Sequence, residues 1–259
     1  MRNSVTRYEV AIATRNPKLR YRILKLLNRL KIKYVVCSPD DFECEYAKVI
    51  VTTKAEASRF GENPLVLVEN GTNDEFVIPL MIKLNDIRKP MNVVLGIDPG
   101  MRFGLALVID GITVHTKRVN SPTFAAEISI RWIHQLICNS PECQLCIRVG
   151  MGSLLYSTLY LREVLRRDNE LTIELVNEQN TTRIGKSDQS SAILIAGRWG
   201  KSLGSHPDLS LEPKGGYVKS LKRLISQLTE GKQSLSTEDA LAIIRDEKPL
   251  DSFLSPEFN

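Results

Sequence analysis

The chain has 259 residues, enough for one large domain or two of ordinary size. Hydrophobic residues at 42% and charged residues at 25% fit a globular protein rather than a disordered one, while aromatics at 6% argue against broad stacking platforms for single-stranded nucleic acid. No apolar stretch approaches the roughly 18 residues of a membrane span, and the net charge of +5 is unevenly spread.

The opening MRNSVTRYEV has no apolar core of signal-peptide type, so a cytoplasmic protein that stays off the membrane is expected. Glu9–Ala13 (EVAIA) predicts a short strand. Asn16-Pro17 then supplies an N-cap and a proline at the first helical position. Leu19, Ile23, Leu26, Leu27 and Leu30 recur at helical spacing, giving an amphipathic helix with a basic outer face. Segment 1–33 is basic from Arg2 to Lys33 against Glu9 alone, which fits a polyanion partner or a solvated helix face equally well. Tyr34–Cys37, Val49–Thr52, Leu65–Val68 and Phe76–Ile78 read as further strands. Residues 1–88 therefore predict a small α/β domain with a parallel sheet, flavodoxin-like or Rossmann-like in appearance. It has neither a GxGxxG nor a P-loop, so nothing supports nucleotide binding, and its role is architectural or a partner contact.

Arg88-Lys89-Pro90 marks the expected boundary before a second domain, 91–259. Strands Val93–Ile97 and Leu105–Ile109 come first, then an Asp110-Gly111 hairpin turn and a third strand to Arg118. A helix over about Thr123–Cys138, a strand Gln144–Val149, a helix from Ser153 to Arg167 and a strand Leu171–Val176 follow. Helices over Ser187–Trp199, Gly216–Glu230 and Thr237–Ile244 complete the order. Loop 200–215 is expected to be mobile, and the tail from Asp246 to fray. Five cysteines, an odd number, point to reduced thiols rather than a disulfide framework. His134, Cys138, Cys143 and Cys146 form a conceivable zinc tetrad. Cys146, however, lies in the apolar run Leu145-Cys146-Ile147, where an ordinary strand cysteine is the preferred reading.

The run Val93–Ile109 (VVLGIDPGMRFGLALVI) carries the chemistry. An apolar strand delivers Asp98 to its C-terminal end, and Pro99-Gly100 turns the chain back. A carboxylate there is costly to bury alone and faces water, a metal or a phosphate. An ordinary DPG turn is the plain alternative. With Gly104, this strand pair resembles the first strands of the RNase H-like fold as carried by RuvC-type Holliday-junction resolvases and YqgF-like proteins. The resemblance runs from Met91 to the C-terminus. It implies a mixed five-stranded sheet flanked by helices, with Asp98 as the central ligand of a magnesium pair. Leu235–Ile244 (LSTEDALAII) resembles the closing helix of the resolvases, with Asp239 as the aspartate before ALA, although Ser236 stands where an earlier acid is expected. Glu238 is a neighbour at a different offset. The plain alternative is a capping box between Ser236 and Asp239. Asn177-Glu178-Gln179-Asn180-Thr181-Thr182 resembles the YqgF-type motif after the fifth strand, which makes Glu178 the third candidate. The resolvase glutamate on the fourth strand is missing: Cys146-Ile147-Arg148-Val149-Gly150 puts Arg148 near its place. Asp188 is a weaker fourth acid, with a plain helix-start role preferred.

The expectation is a divalent-metal-dependent nuclease (Mg2+ or Mn2+) acting on structured or branched nucleic acid, DNA before RNA. Asp98, Glu178 and Asp239 would be catalytic ligands, with Glu238 beside them. Arg183, Lys186, Lys201, Lys214, Lys219 and Arg223 would grip phosphates. A homodimer is left open. The competing reading is a catalytically inactive RNase H-like module that binds nucleic acid or a protein. An actin-like ATPase shares the sheet and the leading aspartate, but the chain after Asp98 is too short for its duplicated fold, and Lys214-Gly215-Gly216 is a lone glycine pair.

Overall fold

In the computed structural model, which describes residues 8–61, 65–67, 73–178, 187–204 and 207–253, the chain is mixed α/β. Two sheets and seven α-helices are seen among the described residues. The chain divides into two units, 1–89 and 90–259.

The first unit contains β1 (Tyr8–Ala13), α1 (Pro17–Leu30), β2 (Tyr34–Cys37), β3 (Ala47–Thr52), β4 (Leu65–Leu67) and α2 (Asn73–Leu84). Its strands are parallel in the order β2-β1-β3-β4. Strand alternation sends Val10, Ile12, Val49 and Val51 to one face, against Leu19, Ile23 and Leu27 of α1 and Phe76, Val77 and Leu80 of α2. Ala11, Ala13 and Ile50 go to the other, with Cys37, Cys44 and Phe60. Asn16 caps α1, its side chain accepting from the Leu19 amide at 3.2 Å, and Lys31 ends the helix in the left-handed region.

Two expectations fail in this unit. Phe76–Ile78 is helical, part of α2, because Pro79 could not donate to a strand ladder and Asp74 and Glu75 favour a helix N-terminus. Cys37 and Cys44 are joined in a disulfide, not reduced: a short turn brings their Cα atoms to 5.9 Å, within bridging range. Val68 lies outside the described residues.

The second unit opens with β5 (Asn92–Asp98), β6 (Phe103–Ile109) and β7 (Ile112–Val119), an antiparallel meander. Asp110 (φ 48°) and Gly111 (φ 82°) supply the two left-handed positions of the tight β6–β7 turn. After α3 (Pro122–Asn139), β8 (Gln144–Gly150) joins β5 in parallel, and after α4 (Leu154–Arg167), β9 (Ile173–Val176) joins β8 in parallel. Helix α5 (Asp188–Ala196) leads to β10 (Lys201–Ser202), then α6 (Gly215–Leu228) and α7 (Thr237–Ile244). The sheet order is β10-β9-β8-β5-β6-β7. The expected five strands thus gain a sixth, because Lys201–Ser202 pairs with Glu174–Leu175 on the open edge of β9.

That pairing, with Leu211 buried, replaces the expected mobile loop with a partly anchored one. The tail from Asp246 is likewise held over its described part. Arg162 and Arg166 both engage Asp246, and Leu250 is buried at the start of a short 3-10 turn. Among the described residues no helix is long and apolar enough to cross a membrane.

Candidate active site at an acidic strand mouth

Strand parity decides which residues share a surface. Gly96 and Asp98 on β5, Gly104 on β6, Arg148 and Gly150 on β8, and Glu174 on β9 lie on one face of the sheet, since registered partners point the same way. Phe103 points to the opposite face, where Tyr156 and Tyr160 of α4 meet its ring at 6.2 Å.

Helix α5 crosses the first face at close range. A Cβ at Gly104 would collide with the Asp188 carbonyl oxygen, and one at Gly96 with the Ala192 carbonyl and the Ala196 side chain. Glycine inside a strand is otherwise unfavourable, and here it admits another backbone. Small residues on the helix, Ala192 and Ala196, complete the fit. At the far end Arg148, 8% exposed, locks the helix down. Its Nε donates to Glu174 Oε2 at 2.8 Å and its Nη1 to the last carbonyl of α5, Ala196 O, at 2.7 Å. Arg148 is therefore held in a structural ion pair with Glu174.

The consequence is felt at Asp98, the last residue of β5. Burial, then the charges of Glu178 and Asp188, push its carboxyl up to about 6, partly offset by a hydrogen bond from Ser191 of α5. Glu178, just beyond β9, accepts from the Gly152 amide at 2.8 Å, and the absence of a side chain at Gly150 leaves room for its carboxylate. Asp188 sits in the first turn of α5, where the helix dipole favours an acid. Carboxylates from two other segments, Glu178 and Asp188, thus act on Asp98 at the C-terminal mouth of the parallel strands.

Asp239 is elsewhere occupied. Its amide donates to Oγ of the N-cap Ser236 at 3.0 Å, and its Oδ2 accepts from the same hydroxyl at 2.7 Å. Lys248 Nζ stands 3.0 Å from its Oδ1. The Ser236 hydrogen bond, then Lys248, hold this carboxyl below the usual aspartate range. The arrangement is the capping box that Ser236 and Asp239 also allow. Glu238 is exposed in the same first turn.

Among the expected cations, Arg183 and Lys186 lie outside the described residues. Lys201 is exposed on β10, Lys214 precedes α6 with its ammonium 5.7 Å from the Tyr217 ring centre, and Lys219 and Arg223 are exposed on α6. The charge of Arg223 is felt by Tyr156, whose hydroxyl donates to Met101 Sδ at 2.7 Å in the turn after Asp98. Arg223 of α6 thus stands within charge range of Tyr156, whose hydroxyl reaches the turn that follows Asp98. Cys138 is exposed, and Cys143 and Cys146 are half-buried. Burial, then Glu174, push the Cys146 thiol up to about 11, away from the thiolate a metal would need.

The donors at the mouth are all carboxylate oxygens, the ligand type a hard divalent cation takes. Among the described residues no three His, Cys, Asp or Glu side chains are grouped closely enough to share an ion as they stand. Asp188 has the helix-start place expected of it, and the in-strand glycines Gly96 and Gly104, a signal the sequence reading did not use, are what admit α5 close to the sheet.

No protein-family model matches the chain, and no curated protein matches it. Solved structures of Argonaute from Marinitoga piezophila show a distant likeness. The complex with a 5′-hydroxyl guide RNA and target DNA aligns at 12% identity with a TM-score of 0.29, and the guide RNA complex at 11% with a TM-score of 0.26. Each alignment covers 65% of this chain and 39% of the Argonaute chain.

Proposed function

We propose that residues 90–259 form an RNase H-like module of RuvC/YqgF type that hydrolyses phosphodiester bonds in structured or branched nucleic acid, DNA before RNA, with a divalent cation. The observation that carries this reading is the elevation of Asp98 by burial and then by Glu178 and Asp188, because strongly perturbed carboxyls at a strand mouth mark functional sites. Asp98, Glu178 and Asp188, which are not grouped closely enough to share an ion as they stand, would have to draw together around Mg2+ or Mn2+, and when bound the cation would activate water and stabilise the leaving oxygen. Asp98 would be the central ligand, because the charges of both other acids act on it. Ser191 orients its carboxylate, and the Gly152 amide orients that of Glu178. Lys214, Lys219 and Arg223 on and before α6 would hold the backbone phosphates that flank the reacting one. In this reading Asp239 caps α7 rather than binding metal.

A second reading, a catalytically inactive nucleic-acid- or protein-binding module, draws support from Arg148 at the missing-acid position and from the capping role of Asp239. Incubation with a four-way junction, a flap duplex and an RNA hairpin, in Mg2+ and in chelator, separates the two. The nuclease reading expects metal-dependent cleavage of at least one substrate, reduced about a hundredfold or more in Asp98→Asn. An Asp98→Asn protein as active as the wild type would sink it.

A further inference from the structure

The molecule has two tryptophans, and they are used in opposite ways. Trp132 is fully buried in α3, whereas Trp199 is 86% exposed just beyond α5. Trp199 is also held in place. The Arg148 guanidinium lies 4.8 Å from its ring centre, and that guanidinium is fixed by Glu174 and Ala196 O. The following residue is tied down as well, the Gly200 amide donating to Glu174 Oε2 at 3.2 Å.

Its position is informative. Arg148, beneath the ring, shares the α5 face with Gly150, two residues or roughly 7 Å further along the strand toward the mouth. From the preceding residue, Arg198 Nη1 donates to Asn177 O at 3.5 Å, one residue before Glu178. An indole backed by a buried cation therefore stands on the same face of the sheet as the acidic mouth, at the other end of α5 from Asp188. Such a ring offers a flat apolar surface whose orientation costs little further entropy to fix.

We propose that Trp199 is a stacking platform for an unpaired nucleobase of the strand whose backbone meets Asp98, Glu178 and Asp188, a proposal that rests on the nucleic-acid reading above. A paired base inside a duplex has both faces covered by its neighbours, so the platform selects a base freed by a junction, a flap or a strand end. The sparse aromatics fit this: one ring holds one base beside the reacting phosphate, where a full single-strand groove would need several.

The test is direct binding in chelator, read by anisotropy of a dye-labelled oligonucleotide in wild type and variants, with quenching of the exposed tryptophan as a second readout in the wild type, so that no cleavage is needed. A short oligothymidylate is expected to quench the exposed emission and to bind about tenfold more tightly than an abasic strand of the same length, with blunt duplex no better than the abasic strand. Trp199→Ala should weaken oligothymidylate about tenfold, to the abasic level, while Trp199→Phe keeps most of the affinity. Equal binding of thymidylate and abasic strands by the wild type, a comparison that needs no variant, would overturn the proposal. So would a Trp199→Ala protein with wild-type affinity, or quenching by a peptide but by no oligonucleotide. Cleavage without base-dependent binding removes the platform alone, and base-dependent binding without cleavage removes the nuclease alone.

Discussion

Asp98 and Asp239 carry the same side chain, and the fold surrounds them in opposite ways. Asp98 is partly buried beneath α5 with two other carboxylates facing it, and its carboxyl is pushed up to about 6. Asp239, at the start of α7, is half-buried as well, but its charge is answered by a serine hydroxyl and a lysine, and its carboxyl is held low. One acid stores repulsion that a cation would relieve. The other is already satisfied. What separates them is the neighbouring backbone: Gly104 lets Asp188 approach Asp98, whereas Ser236 closes a cap around Asp239.

That contrast can be broken at several points. Arg148→Met removes the lock at the C-terminal end of α5 and strands Glu174 nearly buried, so urea unfolding should show a loss of about 3–5 kcal/mol. Asp188→Asn should lower metal-dependent cleavage about a hundredfold, while Asp239→Asn leaves it within about threefold. The reverse order would return the site to α7. Gly104→Ala forces α5 off β6 and should cost about 1–3 kcal/mol in the same unfolding assay.

The smallest effect is a pH dependence. The folded pKa of Asp98, about 6, lies above the ordinary 3.8. Below 3.8 both folded and unfolded chains are protonated and no cost arises. Between 3.8 and 6 the unfolded chain ionises first, so the penalty grows, and above 6 it is constant. Asp98→Asn should therefore stabilise the metal-free protein at neutral pH by about 1–2 kcal/mol, discounted for the exposed part of the group. Thermal melts across pH should show that gain vanishing below about pH 4.

Much of the architecture was legible in the sequence. Apolar alternation and the Asp110-Gly111 turn defined the meander, and helical spacing with caps at Asn16 and Ser236 defined α1 and α7. Phe76–Ile78 misled because a short apolar run reads as strand or helix alike, and only Pro79 and the preceding acids distinguish them. Asp98 and Glu178 were visible as acids at strand ends. Asp188 was visible only as a weaker fourth acid at a helix start, because its proximity to Asp98 depends on how closely α5 lies on β6, a tertiary fact signalled only by glycines inside strands. The Cys37–Cys44 pairing was hidden for the same reason, since spacing alone does not say which thiols a turn brings together.

The account turns on the claim that Asp98, Glu178 and Asp188 share one electrostatic site suited to a divalent cation. Titration of the Asp98 side-chain carboxyl by carbon-detected NMR, with and without Mg2+, addresses it most directly. The predicted result is a midpoint of about 6 without metal, falling toward the usual aspartate range as Mg2+ is added, with the metal response lost in Asp188→Asn. A metal-free midpoint near 3.8 that Mg2+ does not move would contradict the account.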